Sequence, residues 1–269
     1  MLHVYAFNAH PMLRHCVDSY QIVSVFHPEG GYIENTRLPQ VNQSLVFALV
    51  ESSRIYEKTQ AAFTTPHFIT GPNDEICHCR LYSGLKNMVI QFKPAGFYKI
   101  FRFPAMDFTN KSRDAVEFLG KEIHDVRRQI LETPLSRKIE FLDNWLIKNL
   151  LAQKKTNGRI DEAIQLIERF KGNITLTELE KATYTTKRTL ERHFLEQVGL
   201  NPKTFSRLIR FQGVIRFMEA NMNFKWSQLV ELFGYYDQSH FIREFKSLAG
   251  SLPHDYFSIK PGIGKFLQA

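Results

Sequence analysis

Two short stretches of this chain carry side chains that can hydrogen-bond base edges and phosphates. In the first, Lys187, Arg188, Glu191 and Arg192 surround an apolar stripe of Leu190, Phe194 and Val198. In the second, Gln238, Ser239, Arg243 and Lys246 alternate with Phe241, Phe245 and Leu248, which recur at spacings of four and three. Those spacings put the apolar residues on one side of a helix and the polar ones on the other. Arginine can pair bidentately with guanine, and glutamate can accept from cytosine. Glutamine and serine add further contacts to base edges and backbone. Lys187, Lys203 and Lys246 are placed to neutralise phosphates.

Each stretch needs an element to hold it in a groove, and the flanking residues supply one. From Trp226, the run Leu229, Val230, Leu232 and Phe233 makes the apolar face of a short helix. Gly234 can take the positive φ that closes it, and Asp237 is a good N-cap for the next. Gly250 and Pro253 end the unit. Moving back by 51 positions takes Phe241 to Leu190, Arg243 to Arg192, Phe245 to Phe194, Gly250 to Gly199, Pro253 to Pro202 and Tyr256 to Phe205. Upstream, Leu229 matches Leu179, a register one residue different, which predicts one turn longer by a residue. The chain therefore holds two copies of one helix-turn-helix unit.

The first copy opens on a capping box, Thr175 with Glu178, and Thr185 or Thr186 caps its second helix. Pro202 suits the first position of a following helix that carries Phe205, Leu208, Ile209, Ile215 and Met218 to about Ala220. Some 18 residues at about 1.5 Å each make a spacer of roughly 27 Å. That compares with the ~34 Å between successive major-groove faces.

The residues GYYDQSHFIREFKSLAGSLP resemble the signature of the AraC/XylS transcription regulators, and TLERHFLEQVGLNPKTF is similar to the first, more variable unit of that domain. The resemblance covers about 158 to 257. It implies a seven-helix DNA-binding domain with two helix-turn-helix units joined by a long helix. His240 then has a structural role. One departure is Glu180, where the family carries a small alanine. The resemblance further implies an effector-responsive activator that binds double-stranded promoter DNA and RNA polymerase. It also implies a cupin-like N-terminal domain that senses a small molecule.

The formal net charge is +8 over 269 residues, and residues 158 to 269 hold 16 Lys or Arg against 12 Asp or Glu. Within 187 to 216, Lys187, Arg188, Arg192, Lys203, Arg207, Arg210 and Arg216 face only Glu191 and Glu196, an electrostatic footprint for nucleic acid. Three cysteines, unevenly spaced, suit a reducing compartment. The start lacks a secretory pattern and there is no 18-residue apolar stretch, so a cytoplasmic protein without membrane contact is expected.

Residues 1 to about 110 read as short strands, such as 44–50, 63–70 and 87–92, punctuated at 28–31, 71–74 and 94–96. From Asp114 to Leu151 the period becomes helical, in two amphipathic helices broken at Thr133-Pro134. Their stripes are Val116, Leu119, Ile123, Val126 and Ile130, then Leu135, Ile139, Leu142, Leu146 and Leu150. These helices either cap the sheet or form a homodimer interface, a role the N-terminal domain could also serve. A polar linker falls at 153–158, and Ile160, Ile164, Ile167 and Phe170 form the buried stripe of the helix that opens the C-terminal domain.

The expected fold is α+β. A β-sandwich or barrel with two linking helices (1–152) precedes an all-α DNA-binding domain (158–257) and a flexible tail (258–269). Cys77-His78-Cys79 lacks the second ligand pair of a structural zinc site, and alternation sends its cysteines and histidine to opposite faces of a strand. His10, His15, His27 and His67 form no spaced ligand motif, and no phosphate-binding loop or nucleophile elbow occurs. No cofactor, metal or catalysis is expected. The alternative is a DNA-directed enzyme or metalloprotein with a catalytic region in residues 1 to 150.

Overall fold

The computed structural model describes residues 1–154, 158–221 and 224–259. Ten strands come first: β1 (Leu2–Phe7), β2 (Val17–Val25), β3 (Tyr32–Arg37), β4 (Gln43–Ala48), β5 (Ile55–Glu57), β6 (Ala62–Phe63), β7 (His67–Thr70), β8 (Cys77–Tyr82), β9 (Lys86–Phe92) and β10 (Ser112–Asp114). They form two antiparallel sheets, one of six strands in the order β1-β2-β9-β4-β7-β10 and one of four in the order β3-β8-β5-β6. The region read as one strand at 63–70 is two, separated by the turn that Pro66 occupies.

Between β9 and β10 the chain is helical where strands and turns were expected. Helix α1 spans Gly96–Phe101, and a 3₁₀ turn spans Ala105–Phe108. Phe92–Phe97 and Phe97–Phe108 meet edge to face there, each with ring centroids 5.4 Å apart, and Phe101 packs tilted on Phe97 at 5.0 Å. That aromatic burial decides the local conformation over the polar punctuation.

The helical region then differs in one detail from the periodicity. It is three helices, α2 (Val116–Leu119), α3 (Glu122–Glu132) and α4 (Leu135–Leu151), because Gly120 turns to φ 71° and ends the first. Ile123, Val126, Ile130, Leu142 and Leu146 are buried against Leu45, Phe47, Ile69 and Phe101. These helices thus cover one face of the six-stranded sheet. Leu135, expected in the stripe, is 52% exposed at the first turn of α4.

The C-terminal part comprises α5 (Arg159–Arg169), α6 (Leu176–Thr183), α7 (Lys187–Val198), α8 (Pro202–Ala220), α9 (Trp226–Leu232), α10 (Gln238–Ala249) and α11 (Pro253–Ile259). Its core includes Ile160, Ile164, Ile167, Leu179, Leu190, Phe194, Phe205, Phe241 and Phe245. Two residues of the expected stripes fall outside it. Phe170 is the C-cap of α5 and is 49% exposed, and Leu232 is 40% exposed at the end of α9. Helix α11 runs to Ile259, so the expected tail begins later than 258, and residues 260–269 lie outside the described residues, as does 155–157 of the expected linker. Among the described residues no helix is long and apolar enough to cross a membrane.

Candidate nucleic-acid interface

The repeat read from spacing is a repeat in space. Helices α7 and α10 each have 12 residues, start 51 positions apart, and end on glycines in the left-handed region, Gly199 at φ 83° and Gly250 at φ 74°. The same aromatic pair closes both units. Phe194 meets Phe205 at 5.2 Å and Phe245 meets Tyr256 at 5.7 Å, both edge to face. Pro202 and Pro253 each start the helix that follows. Helix α8 has 19 residues, about 28 Å, and joins the units as a single rod.

The expected contact residues stand outward from the two helices. Lys187, Arg188, Arg192, Gln238, Ser239, Arg243 and Lys246 are exposed, and Glu191 is half-buried. Lys203 is exposed beside them at the start of α8. Arg192 lies 3.2 Å from the ring of His193. Lys187, Arg188, Lys203, Arg243 and Lys246 have no ion-pair partner among the described residues, so their charge faces solvent. Lys187, Arg188, Gln238 and Ser239 occupy the first turns of α7 and α10, where backbone N–H groups also point outward, whereas Lys246 lies in the last turn of α10.

The basic footprint read over 187–216 is smaller than its sequence suggests. Arg207 and Arg210 of α8 converge on Glu244 of α10, at 3.4 and 3.9 Å, and the glutamate side chain is only 9% exposed. Arg210 also lies over the Tyr235 ring at 5.0 Å. Burial and then the nearby Glu244 hold the Tyr235 hydroxyl protonated, well above the usual tyrosine range. Glu196 of α7 accepts from Tyr98 at 2.8 Å. Arg207, Arg210 and Glu244 therefore tie α8 to α10, and Glu196 ties α7 to α1. His240 belongs to the same network, 4.0 Å from Glu244, in keeping with a structural role.

Caps differ between the two units. The capping box of α6 forms, with the Glu178 amide bonding the Thr175 hydroxyl at 3.2 Å and the Thr175 amide bonding Glu178 at 2.8 Å. The Thr175 hydroxyl, which donates to the Glu178 carboxylate at 2.7 Å, and then the Thr175 amide hold that carboxyl below its ordinary pKa. Asp237 caps α10 by accepting from the His240 amide at 2.6 Å. Thr186 is the N-cap residue of α7 but makes no side-chain cap bond. Glu180 supplies it instead, accepting from the Lys187 amide. The residue that departs from the family pattern therefore works as a cap at a helix end that favours negative charge.

The one-residue slip is located too. Tyr184 at φ 49° and Gly234 at φ 63° occupy the same turn position, Thr185 and Tyr235 are both buried after them, and Tyr236 is the additional residue before Asp237. Tyr184 and Tyr236 are 88% and 90% exposed.

The N-terminal part touches the C-terminal ends of both α7 and α10. A Cβ on Gly199 would lie 2.9 Å from Pro72, Thr109 and the Ala105 carbonyl, and one on Gly250 would lie 2.8 Å from Ile76. The Thr109 hydroxyl donates to the Gly199 carbonyl at 2.6 Å. Lys99 pairs with Asp161 at 2.6 Å, and Leu38, Val41 and Ala95 join the C-terminal core. The segment 72–76 thus lies against the C-terminal ends of α7 and α10 alike.

A cavity of about 230 Å³ opens between the sheets. Val23, Val46, Leu81 and Val89 supply apolar walls, and Asn87, Ser44 and the Arg37–Glu57 pair, 3.2 Å apart, supply polar ones. The buried Asn87 Oδ1 has no hydrogen-bond partner among the described residues. Tyr256 of α11 forms part of the wall. Sequence reasoning missed this site because its residues come from separate strands.

The Cys77-His78-Cys79 run lies on β8. Cys79 is 2% exposed, His78 is exposed on the opposite face, and Cys77 lies 3.3 Å from Arg37. His67 pairs with His124 at 2.8 Å. Among the described residues no group of three or more His, Cys, Asp or Glu could hold a metal ion.

Residues 179–258 match the family model described as a helix-turn-helix domain, and residues 5–114 match a domain of unknown function (DUF6597). No curated protein matches the chain. Among solved structures, ToxT from Vibrio cholerae O395 is similar at 14% identity and a TM-score of 0.45, over 91% of this chain and 99% of that one. ToxT from Vibrio cholerae strain SCE256 bound to an unsaturated fatty acid matches at 14% and 0.43, over 98% and 96%. The AraC-like transcriptional activator CuxR matches at 12% and 0.24, over 80% and 86%.

Proposed function

We propose a bipartite mode of DNA reading for this chain, a DNA-binding transcription regulator whose C-terminal part is an AraC-type helix-turn-helix domain. Helix α7 enters one major groove and α10 the next on the same side of the duplex, with α8 as spacer. Arg188, Glu191 and Arg192 read one half-site, and Gln238, Ser239 and Arg243 read the other. Lys187, Lys203 and Lys246 neutralise phosphates. The observation that carries this reading is the pair of equal helices, joined through one long helix, with Lys187, Arg188, Gln238 and Ser239 exposed on their first turns.

Residues 1–152 act as the sensing unit and 158–257 as the reading unit. A small molecule in the cavity between the sheets would touch Tyr256, whose ring packs on Phe245 behind the second recognition helix. Occupancy is thereby coupled to the set of α10, and the segment 72–76 couples it to both helices. The outer faces of α3 and α4, with Leu131, Leu135 and Leu151 at 41%, 52% and 68% exposure, suit a homodimer. The protein acts in the bacterial cytoplasm as an activator that contacts RNA polymerase at the promoter, and it is not an enzyme.

Selection from a random-sequence duplex library by the purified full chain tests the reading. Enrichment of two motifs about one helical turn apart is expected. Enrichment of a single motif, or of none, would contradict it.

A further inference from the structure

We infer that Tyr184 and Tyr236 are DNA-backbone contacts, each phenol donating its hydroxyl proton to a phosphate oxygen at the edge of the groove its unit reads. The inference deepens the two-groove reading above and rests on it. Tyr236 and Tyr184, at 90% and 88%, are the most exposed of the large apolar side chains. Among the described residues neither ring has a hydrogen bond from its hydroxyl or an aromatic contact. Each precedes a recognition helix, Tyr184 two residues before the Thr186 N-cap and Tyr236 immediately before the Asp237 N-cap. The occupant follows from continuity. The first turns of these helices carry Lys187, Arg188, Gln238 and Ser239, and tyrosine hydroxyls beside helix N-termini are a recurrent kind of phosphate contact.

Backbone strain points the same way. Tyr184 holds φ 49° and ψ 44° as the C-cap of α6, a left-handed conformation that strains a non-glycine residue. The second unit makes the same turn with Gly234, unstrained. A tyrosine that buries nothing and strains its own turn gains nothing in the free protein. Tyr235 shows what a structural tyrosine looks like here, since it is 6% exposed and packed on Phe241. Tyr236, the residue that lengthens the second turn, has no such packing.

The test compares wild type with Tyr184→Phe, Tyr184→Gly and Tyr236→Phe, each as the full chain. Probes are a duplex selected from the random library by wild type and a random-sequence duplex of equal length. Each Phe variant should bind both duplexes about three- to tenfold more weakly, because a phosphate contact carries no sequence information. The slope of log affinity against log salt should stay unchanged, because no charge is lost. Tyr184→Gly should raise the melting temperature while weakening binding. Binding by the Phe variants within about twofold of wild type would overturn the inference and leave the regulator reading intact, as would a loss confined to the selected duplex. If wild type selects no duplex, the regulator reading itself fails.

Discussion

Glu244→Ala tests the claim that the network around Glu244 is structural and sets the second recognition helix. The substitution leaves Arg210, 14% exposed, without its carboxylate, while Arg207, 37% exposed, can turn to water. Removing one member of a buried pair costs about 3–5 kcal/mol, most of it the desolvated charge left behind. The Tyr235 ring beneath Arg210 offsets about 1 kcal/mol of that. The expected loss is thus about 3 kcal/mol, or roughly 6–12 °C in Tm at about 2–4 °C per kcal/mol for a chain of this size. Urea unfolding followed by helical ellipticity measures it. Arg210→Ala should destabilise too, yet leave the salt dependence of DNA binding unchanged, whereas Lys187→Ala should lower that slope by about one. A loss under about 1 kcal/mol for Glu244→Ala, or a reduced salt slope for Arg210→Ala, would refute the assignment.

Four further outcomes follow from named residues. Glu180→Ala should cost about 1 kcal/mol by uncapping α7, and amide exchange should show its first turn fraying while α10 stays protected. Gly199→Ala should cost about 2–3 kcal/mol, because positive φ adds strain and its Cβ meets Pro72, Thr109 and Ala105. Gly158→Ala, with φ 71° and open space around it, should cost only about 1 kcal/mol by thermal melting. Burial lowers the His67 pKa below its ordinary 6.5, so the folded imidazole is neutral at pH values where the unfolded one is protonated. Stability from this site is complete above about pH 6.5 and is lost as pH falls from there towards the lowered folded pKa. Melting temperatures measured down to pH 5 should fall less steeply in His67→Gln.

The second recognition unit was the most legible part of the chain. Its signals are local, with Phe241, Phe245 and Leu248 setting the stripe, Asp237 the cap and Gly250 the stop, and each appears in place. The repeat extended that reading to the first unit, and even the one-residue slip became a located residue, Tyr236. Contacts between distant positions were not legible. Nothing near Arg207 or Arg210 announces Glu244, more than thirty positions away, so both arginines read as free charge. Glu180 looked like a packing departure because its role as a cap depends on how the turn folds back. The break at Gly120 carried a signal, but the apolar period runs through it. The cavity between the sheets draws on β2, β4, β8, β9 and α11, and no stretch of sequence contains it.

The central claim is that one chain reads two adjacent grooves with two helices. A footprint of the full-length protein on its selected duplex, repeated with Arg192→Ala and with Arg243→Ala, tests it most directly. Two protected half-sites about one helical turn apart are expected, with each variant losing protection at a different half and about 1–3 kcal/mol of affinity. Loss at the same half with both variants, or one continuous footprint that neither variant changes, would contradict it.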